Sequence, residues 1–76
     1  MQNMDEKIIT DPAIMLGKPV IKGTRITVEL ILKTLSEGAS FADLLDMYPH
    51  IKREDINAAL QYASALVAHE EILSVK

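Results

Sequence analysis

Three groups of side chains in this 76-residue chain could do chemistry. The first is cationic. Lys18, Lys22 and Arg25 fall within Gly17-Lys18-Pro19-Val20-Ile21-Lys22-Gly23-Thr24-Arg25-Ile26, where they could meet phosphates or carboxylates. The second is a reading set: Arg53, Asn57 and Gln61, with Lys52 just ahead of them. At four-residue spacing the three share one strip of a helix. An arginine can give two hydrogen bonds to guanine, and an asparagine or glutamine can exchange two with adenine. The third set holds acids and imidazoles: Asp43, Asp46, His50 and His69.

The third set makes a poor catalyst. No His-x-x-x-His pair occurs, so zinc has no ready site. Asp43 and Asp46 share a helix face, but metal-dependent nucleases assemble more acids in a deep cleft. No nucleophile elbow, phosphate loop or dinucleotide fingerprint is present. The chain reads as a non-enzyme, with no catalytic residue, no metal and no cofactor expected. The other two sets also have plainer readings. Arg53, Asn57 and Gln61 could form an ordinary wet face, and Glu54 and Asp55 beside them would repel phosphates. Arg25 could pair with Asp11 or Glu29 and serve only the fold.

The elements that must position these residues follow from pattern. Residues 1–6 are expected to be disordered, and residues 7–76 to form one small domain. Lys7-Ile8-Ile9-Thr10 is a β-branched candidate strand, stopped by Asp11-Pro12. Ala13-Ile14-Met15-Leu16 suits one helical turn closed by Gly17. Pro19-Val20-Ile21 and Thr24-Arg25-Ile26 flank Lys22-Gly23, which predicts a tight hairpin. The β element therefore occupies residues 7–26.

Helix 1 is predicted over 27–37, capped by Thr27 and ended by Gly38. Val28, Ile31, Leu32 and Leu35 form its apolar stripe. Helix 2 covers 40–48, with Ser40 and Asp43 as a capping pair and Phe41, Leu44, Leu45 and Tyr48 facing inward. Helix 3 covers 52–73. Ile56, Leu60, Ala63 and Val67 form its inward seam, and Arg53, Asn57, Gln61 and Ser64 a polar strip. Ala58, Tyr62, Ala65 and His69 lie on the opposite side. A helix apolar on two sides usually meets something on each, which makes Tyr62, Ala65, His69 and Ile72 the expected partner interface; the plainer reading is that the alanines are good helix formers on a wet face. Two short helices leading by a turn to a longer one is helix-turn-helix geometry. The predicted fold is thus mainly α: a three-helix bundle behind a small N-terminal β element.

Composition sets the outer limits. Apolar residues make up 49%, yet there are only two tyrosines and one phenylalanine, so the core must be aliphatic. There is no cysteine and hence no disulfide. No apolar run is long enough for a membrane span, and the polar, acidic start lacks a signal-peptide pattern; a cytoplasmic protein is expected. The net charge of −3 is unevenly spread. Residues 17–33 carry Lys18, Lys22, Arg25 and Lys33 against Glu29 alone, whereas residues 34–51 carry acids and no cation. That is a basic arm on an acidic body.

Asp11-Pro12, the Gly17–Val28 run, Glu37-Gly38-Ala39-Ser40, Tyr48-Pro49, Glu54-Asp55-Ile56, Ala58-Ala59-Leu60 and Tyr62-Ala63 together resemble the domain-of-unknown-function family 433. The likeness spans roughly residues 8 to 65, and its most specific piece is Gly17–Ile26. It implies a homeodomain-like three-helix fold, a prokaryotic origin and a homodimer. It also implies a VapB-type antitoxin, half of a toxin–antitoxin pair, that neutralises a PIN-like ribonuclease toxin and binds its own operator DNA. The DNA-binding residues would be Lys18, Lys22, Arg25, Lys52, Arg53, Asn57 and Gln61. The competing reading is a protein-interaction module that binds no DNA. Two departures stand out. The family commonly has Gly-Gly where this chain has Leu16-Gly17, and Lys52 stands where a Ser or Thr cap of helix 3 would be expected.

Overall fold

Residue types that favour caps and turns punctuate this chain, and each helix starts where one of them satisfies its free amides. The computed structural model describes the backbone of residues 6–74 and the side chains of residues 6–68. The expected disorder of residues 1–6 lies, apart from Glu6, outside the described residues. Three helices follow a small antiparallel β element: α1 (Val28–Ser36), α2 (Phe41–Met47) and α3 (Arg53–Ser74).

Thr27 caps α1. Its hydroxyl accepts the Leu30 N–H at 3.0 Å, which satisfies a polar group that is itself buried. At the far end, the Gly38 N–H donates to the Leu35 carbonyl at 3.0 Å and the Ala39 N–H to that of Thr34 at 3.3 Å. This double closure is the Schellman arrangement. Ser40 and Asp43 form a full capping box at the start of α2. All three features stand where the sequence placed them.

Helix α3 has a cap as well, but not of the expected kind. Lys52 offers no side-chain acceptor. Asp55 instead reaches back, and its Oδ2 accepts the Lys52 N–H at 2.9 Å. The absent Ser or Thr is thus made good by the other half of a capping box.

The β element departs further from expectation. Strand β1 (Ile8–Ile9) pairs antiparallel with β2 (Val20–Ile21), Ile8 opposite Ile21 and Ile9 opposite Val20. The hairpin around Lys22-Gly23 is present, but only as the other edge of β2. The Ile21 N–H donates to the Ile26 carbonyl at 2.9 Å, and Val20 forms a bridge with Thr27. Strand β2 is therefore central, and both its side chains are buried. Gly23, at φ +84°, makes the turn, and the Thr24 hydroxyl ties it by donating to the Ile21 carbonyl at 2.8 Å.

Between the strands, the turn expected at Ala13–Leu16 is helical with the opposite hand. Met15, Leu16 and Gly17 have φ of 49°, 58° and 82°. The Gly17 and Lys18 amides close it onto the Ile14 and Met15 carbonyls at 3.0 and 3.1 Å. Leu16 is 92% exposed there.

The core joins Ile21 of β2, Val28 and Ile31 of α1, Leu44 of α2, Ile51 of the connecting turn, and Ile56 and Ala59 of α3. Leu32, Leu35, Phe41, Leu45, Tyr48, Leu60 and Ala63 pack around it half-buried, as their periodicity predicts. Two positions on α3 differ from expectation. Ala59, assigned to neither seam, is fully buried, and Val67, assigned inward, is 59% exposed. The apolar stripe runs on past the point where the body of the domain ends. No helix among the described residues is long and apolar enough to cross a membrane.

Candidate nucleic-acid interface

The N-terminal half of α3 carries the reading set. Lys52, Arg53, Asn57 and Gln61 are all exposed, as is Ser64 further along the strip. The seam of Ile56, Ala59 and Leu60 turns inward, and that fixes the strip outward. Arg53 is held by a neighbour: its guanidinium carbon lies 5.0 Å from the centre of the Phe41 ring. Such a contact orients the group without neutralising it.

The β element brings the cationic arm to the same end of α3. The Lys22 N–H donates to the Lys7 carbonyl at 2.7 Å, and the Lys7 ammonium lies 3.5 Å from Asp55 Oδ1. Around the turn, Gly23, Thr24, Arg25 and Ile26 share a groove of roughly 650 Å³ with Ile14 and with His50, which precedes α3. Lys22, Arg25, Lys52 and Arg53 thus belong to segments that converge on the first turn of α3.

Among the described residues, none of these four cations has a carboxylate within 4 Å. The alternative role for Arg25 as an ion-pair partner of Asp11 or Glu29 fails. Glu29 is taken by Lys18, whose ammonium lies 2.9 Å from Glu29 Oε1, and Asp11 Oδ1 accepts the Ala13 N–H at 2.9 Å. The Lys18–Glu29 pair is exposed on both sides, so it holds little energy and Lys18 can exchange partners. Glu54 is exposed beside the strip. Asp55 is partly shielded and occupied by Lys7 and the helix cap, which lowers its cost to an approaching phosphate.

Sequence reading missed Lys7 and Asp55. Lys7 carries no signal, because a lysine leading a short strand is commonplace. Asp55 did carry one: it stands three residues after the cap position, the spacing that Asp43 keeps from Ser40.

The expected partner interface is divided. Tyr62 is half-buried against the core and borders a shallow groove with Ile8, Lys7, Ala58 and Gln61, so β1 of the same chain takes part of that face. Ala65 is exposed. His69 and Ile72 stand on α3, but their side chains lie outside the described residues. Among the described residues, no group of three or more His, Cys, Asp or Glu side chains is placed to hold a metal ion.

Comparison with known proteins bears on the whole of this arrangement. The family model "Protein of unknown function (DUF433)" matches residues 8–63, which spans every element from β1 to the middle of α3. Uncharacterized protein y4eO of Sinorhizobium fredii is 33% identical over 60 residues, covering 79% of this chain but 27% of its own length. The chain therefore spans about a quarter of that relative. A crystal structure of a DUF433 member protein from Anabaena variabilis superposes with a TM-score of 0.78 at 27% identity, covering 92% of this chain and 69% of that one.

Proposed function

This chain belongs to the DUF433 family, and from that premise we propose that it is a non-enzymatic DNA-binding regulator, the antitoxin half of a toxin–antitoxin pair. One observation carries the DNA reading: Arg53, Asn57 and Gln61 form an open strip on α3, and Lys22, Arg25 and Lys52, on segments that meet its first turn, have no carboxylate within 4 Å among the described residues. In this reading the N-terminal half of α3 enters the major groove. Arg53, Asn57 and Gln61 meet base edges, while Lys18, Lys22, Arg25 and Lys52 meet phosphates and set the register. The protein acts as a homodimer on its own operator, and a PIN-like toxin is its second partner.

A titration of labelled DNA from upstream of its own gene, at two salt concentrations, tests this. Binding that weakens steeply with salt supports it. Replacing Asn57 and Gln61 together by alanine then lowers affinity for that sequence by about 1–3 kcal/mol per lost base contact. No detectable binding at low salt overturns the DNA reading. Co-expression with the PIN-like nuclease encoded next to it, if one is, tests the antitoxin role through rescue of growth.

A protein-interaction module that binds no DNA is the second reading. What favours it is the run of α3 beyond the body. Leu66 and Val67 are more than half exposed, and Val67 borders an apolar groove with Leu32, Leu60 and Ala63. Toxin capture that persists with Lys22, Arg25 and Arg53 all replaced by alanine supports this reading over the first.

A further inference from the structure

His50 stands just ahead of α3, exposed, in a groove that it shares with Arg25. Ile14, Gly23, Thr24 and Ile26 complete the lining. Two nitrogen-bearing side chains thus face a wall that is otherwise largely apolar. Neither Arg25 nor His50 has a carboxylate within 4 Å among the described residues. The acids of the surrounding elements are engaged elsewhere or open to solvent. Asp11, which bridges to Ile14, accepts the Ala13 N–H, and Glu29 holds Lys18. On α2, Asp43 closes the capping box and Asp46 is exposed. On α3, Asp55 holds Lys7 and the helix cap, and Glu54 is exposed. The remaining charges on the segments that meet here, Lys22, Lys52 and Arg53, are cations.

We propose that this groove seats one phosphodiester of the DNA backbone, the phosphate on Arg25 and His50 and its deoxyribose against Ile14 and Ile26. A bare anion would satisfy the two donors and leave the isoleucines uncovered. A nucleic-acid backbone brings charge and carbon together, phosphate beside sugar. The seat rests on the DNA-binding reading, which already puts Arg25 on a phosphate; His50 is the new contact. It makes that contact sensitive to pH. A neutral imidazole has one N–H to give, whereas a protonated one has two and a charge. An imidazole gains its proton between about pH 8 and pH 5. A phosphodiester stays anionic throughout that range, and ordinary carboxylates protonate mostly below it. Attraction between His50 and the phosphate therefore grows as pH falls, and one more counterion leaves the DNA for each seated phosphate.

Titration of the DNA from upstream of the gene against salt, at about pH 8 and about pH 6, tests the seat. In the unaltered protein the log–log salt slope should be steeper at the lower pH by about one per protomer. His50→Gln keeps a hydrogen-bonding side chain without the charge and should give the same slope at both pH values. His50→Lys carries a permanent cation and should give the steeper slope at both. His69, the other histidine of the chain, is present in all three proteins, so its contribution cancels. His50 is exposed, so neither variant disturbs the core. An unaltered protein whose slope ignores pH, or a pH effect that survives in His50→Gln, overturns the seat and leaves DNA binding in place. No binding at either pH overturns the DNA reading, and the seat with it. Inorganic phosphate is the control: if it perturbs the His50 ring signals in NMR as strongly as the DNA does, the groove takes a free anion and its assignment to DNA falls.

Discussion

Asp55 serves two elements with one carboxylate. One oxygen accepts the Lys52 N–H and starts α3; the other faces the Lys7 ammonium and holds β1 to the helix. These roles differ in worth. A lost cap costs about 0.5–2 kcal/mol, whereas an ion pair with a partly exposed lysine contributes about 0–1 kcal/mol. Asp55→Ala should therefore lower stability by about 1–2 kcal/mol in urea melts, and Lys7→Ala by clearly less. Equal losses would mean that the pair, not the cap, dominates. The residue scale is also where sequence reading was weakest. Asp55 stands at capping-box spacing, but the expected cap is a hydroxyl at position 52, and the acceptor sits on the other side of the box. Leu16 gave no local warning, because only Gly17 among its neighbours favours positive φ. A glycine at position 16 would suit the backbone better, because φ there is +58°.

Elements whose ends are set by local hydrogen bonds were legible. Thr27, Gly38, Ser40 and Asp43 each act within four residues of where they stand, so their effect needs no knowledge of the fold. Thr27→Ala should cost about 1–2 kcal/mol, at the upper end for caps because the hydroxyl is buried; thermal or urea denaturation reads this directly. Ser40→Ala, with the same box chemistry at an exposed position, should cost about 1 kcal/mol or less. The β element was legible in composition and not in pairing. Val20 and Ile21 have β-branched candidates on both sides, at Ile8-Ile9 and at Thr24–Ile26. Sequence proximity favours the near partner. The structure uses both, because a central strand buries Val20 and Ile21 completely where a terminal hairpin would leave one edge wet. Periodicity misled in the same way at Val67: a 3.6-residue pattern marks a face and says nothing about where the body beneath it stops.

At the scale of the whole molecule, stability and charge set the limits. A chain of this size is expected to hold roughly 4–11 kcal/mol, and Leu44 is fully buried at the meeting point of the helices. Leu44→Ala should cost about 2–5 kcal/mol, so it should leave little cooperative unfolding transition at 37 °C or abolish it. A sharp, nearly unchanged melt would contradict the core as described. The order of three helices behind a β element was visible from the stripes of α1 and α2 and the length of α3. The functional surface was less so, because which cations remain unpaired depends on carboxylates far away in sequence. Glu29 chose Lys18, and Asp55 chose Lys7. With Lys22, Arg25 and Lys52 unpaired among the described residues and placed on phosphates together with Lys18, DNA affinity should fall with a log–log salt slope of about −4 per protomer, and Lys22→Ala should flatten it by about one. A slope that stays the same would remove Lys22 from the interface.

Phe41 acts as a splint for Arg53. A long side chain normally loses rotational freedom when it docks, but one already resting on a ring has surrendered part of that freedom beforehand. Changing Phe41 to leucine keeps the wall of the core and removes the splint. A complex made by the loosened arginine should form as quickly as before and fall apart sooner.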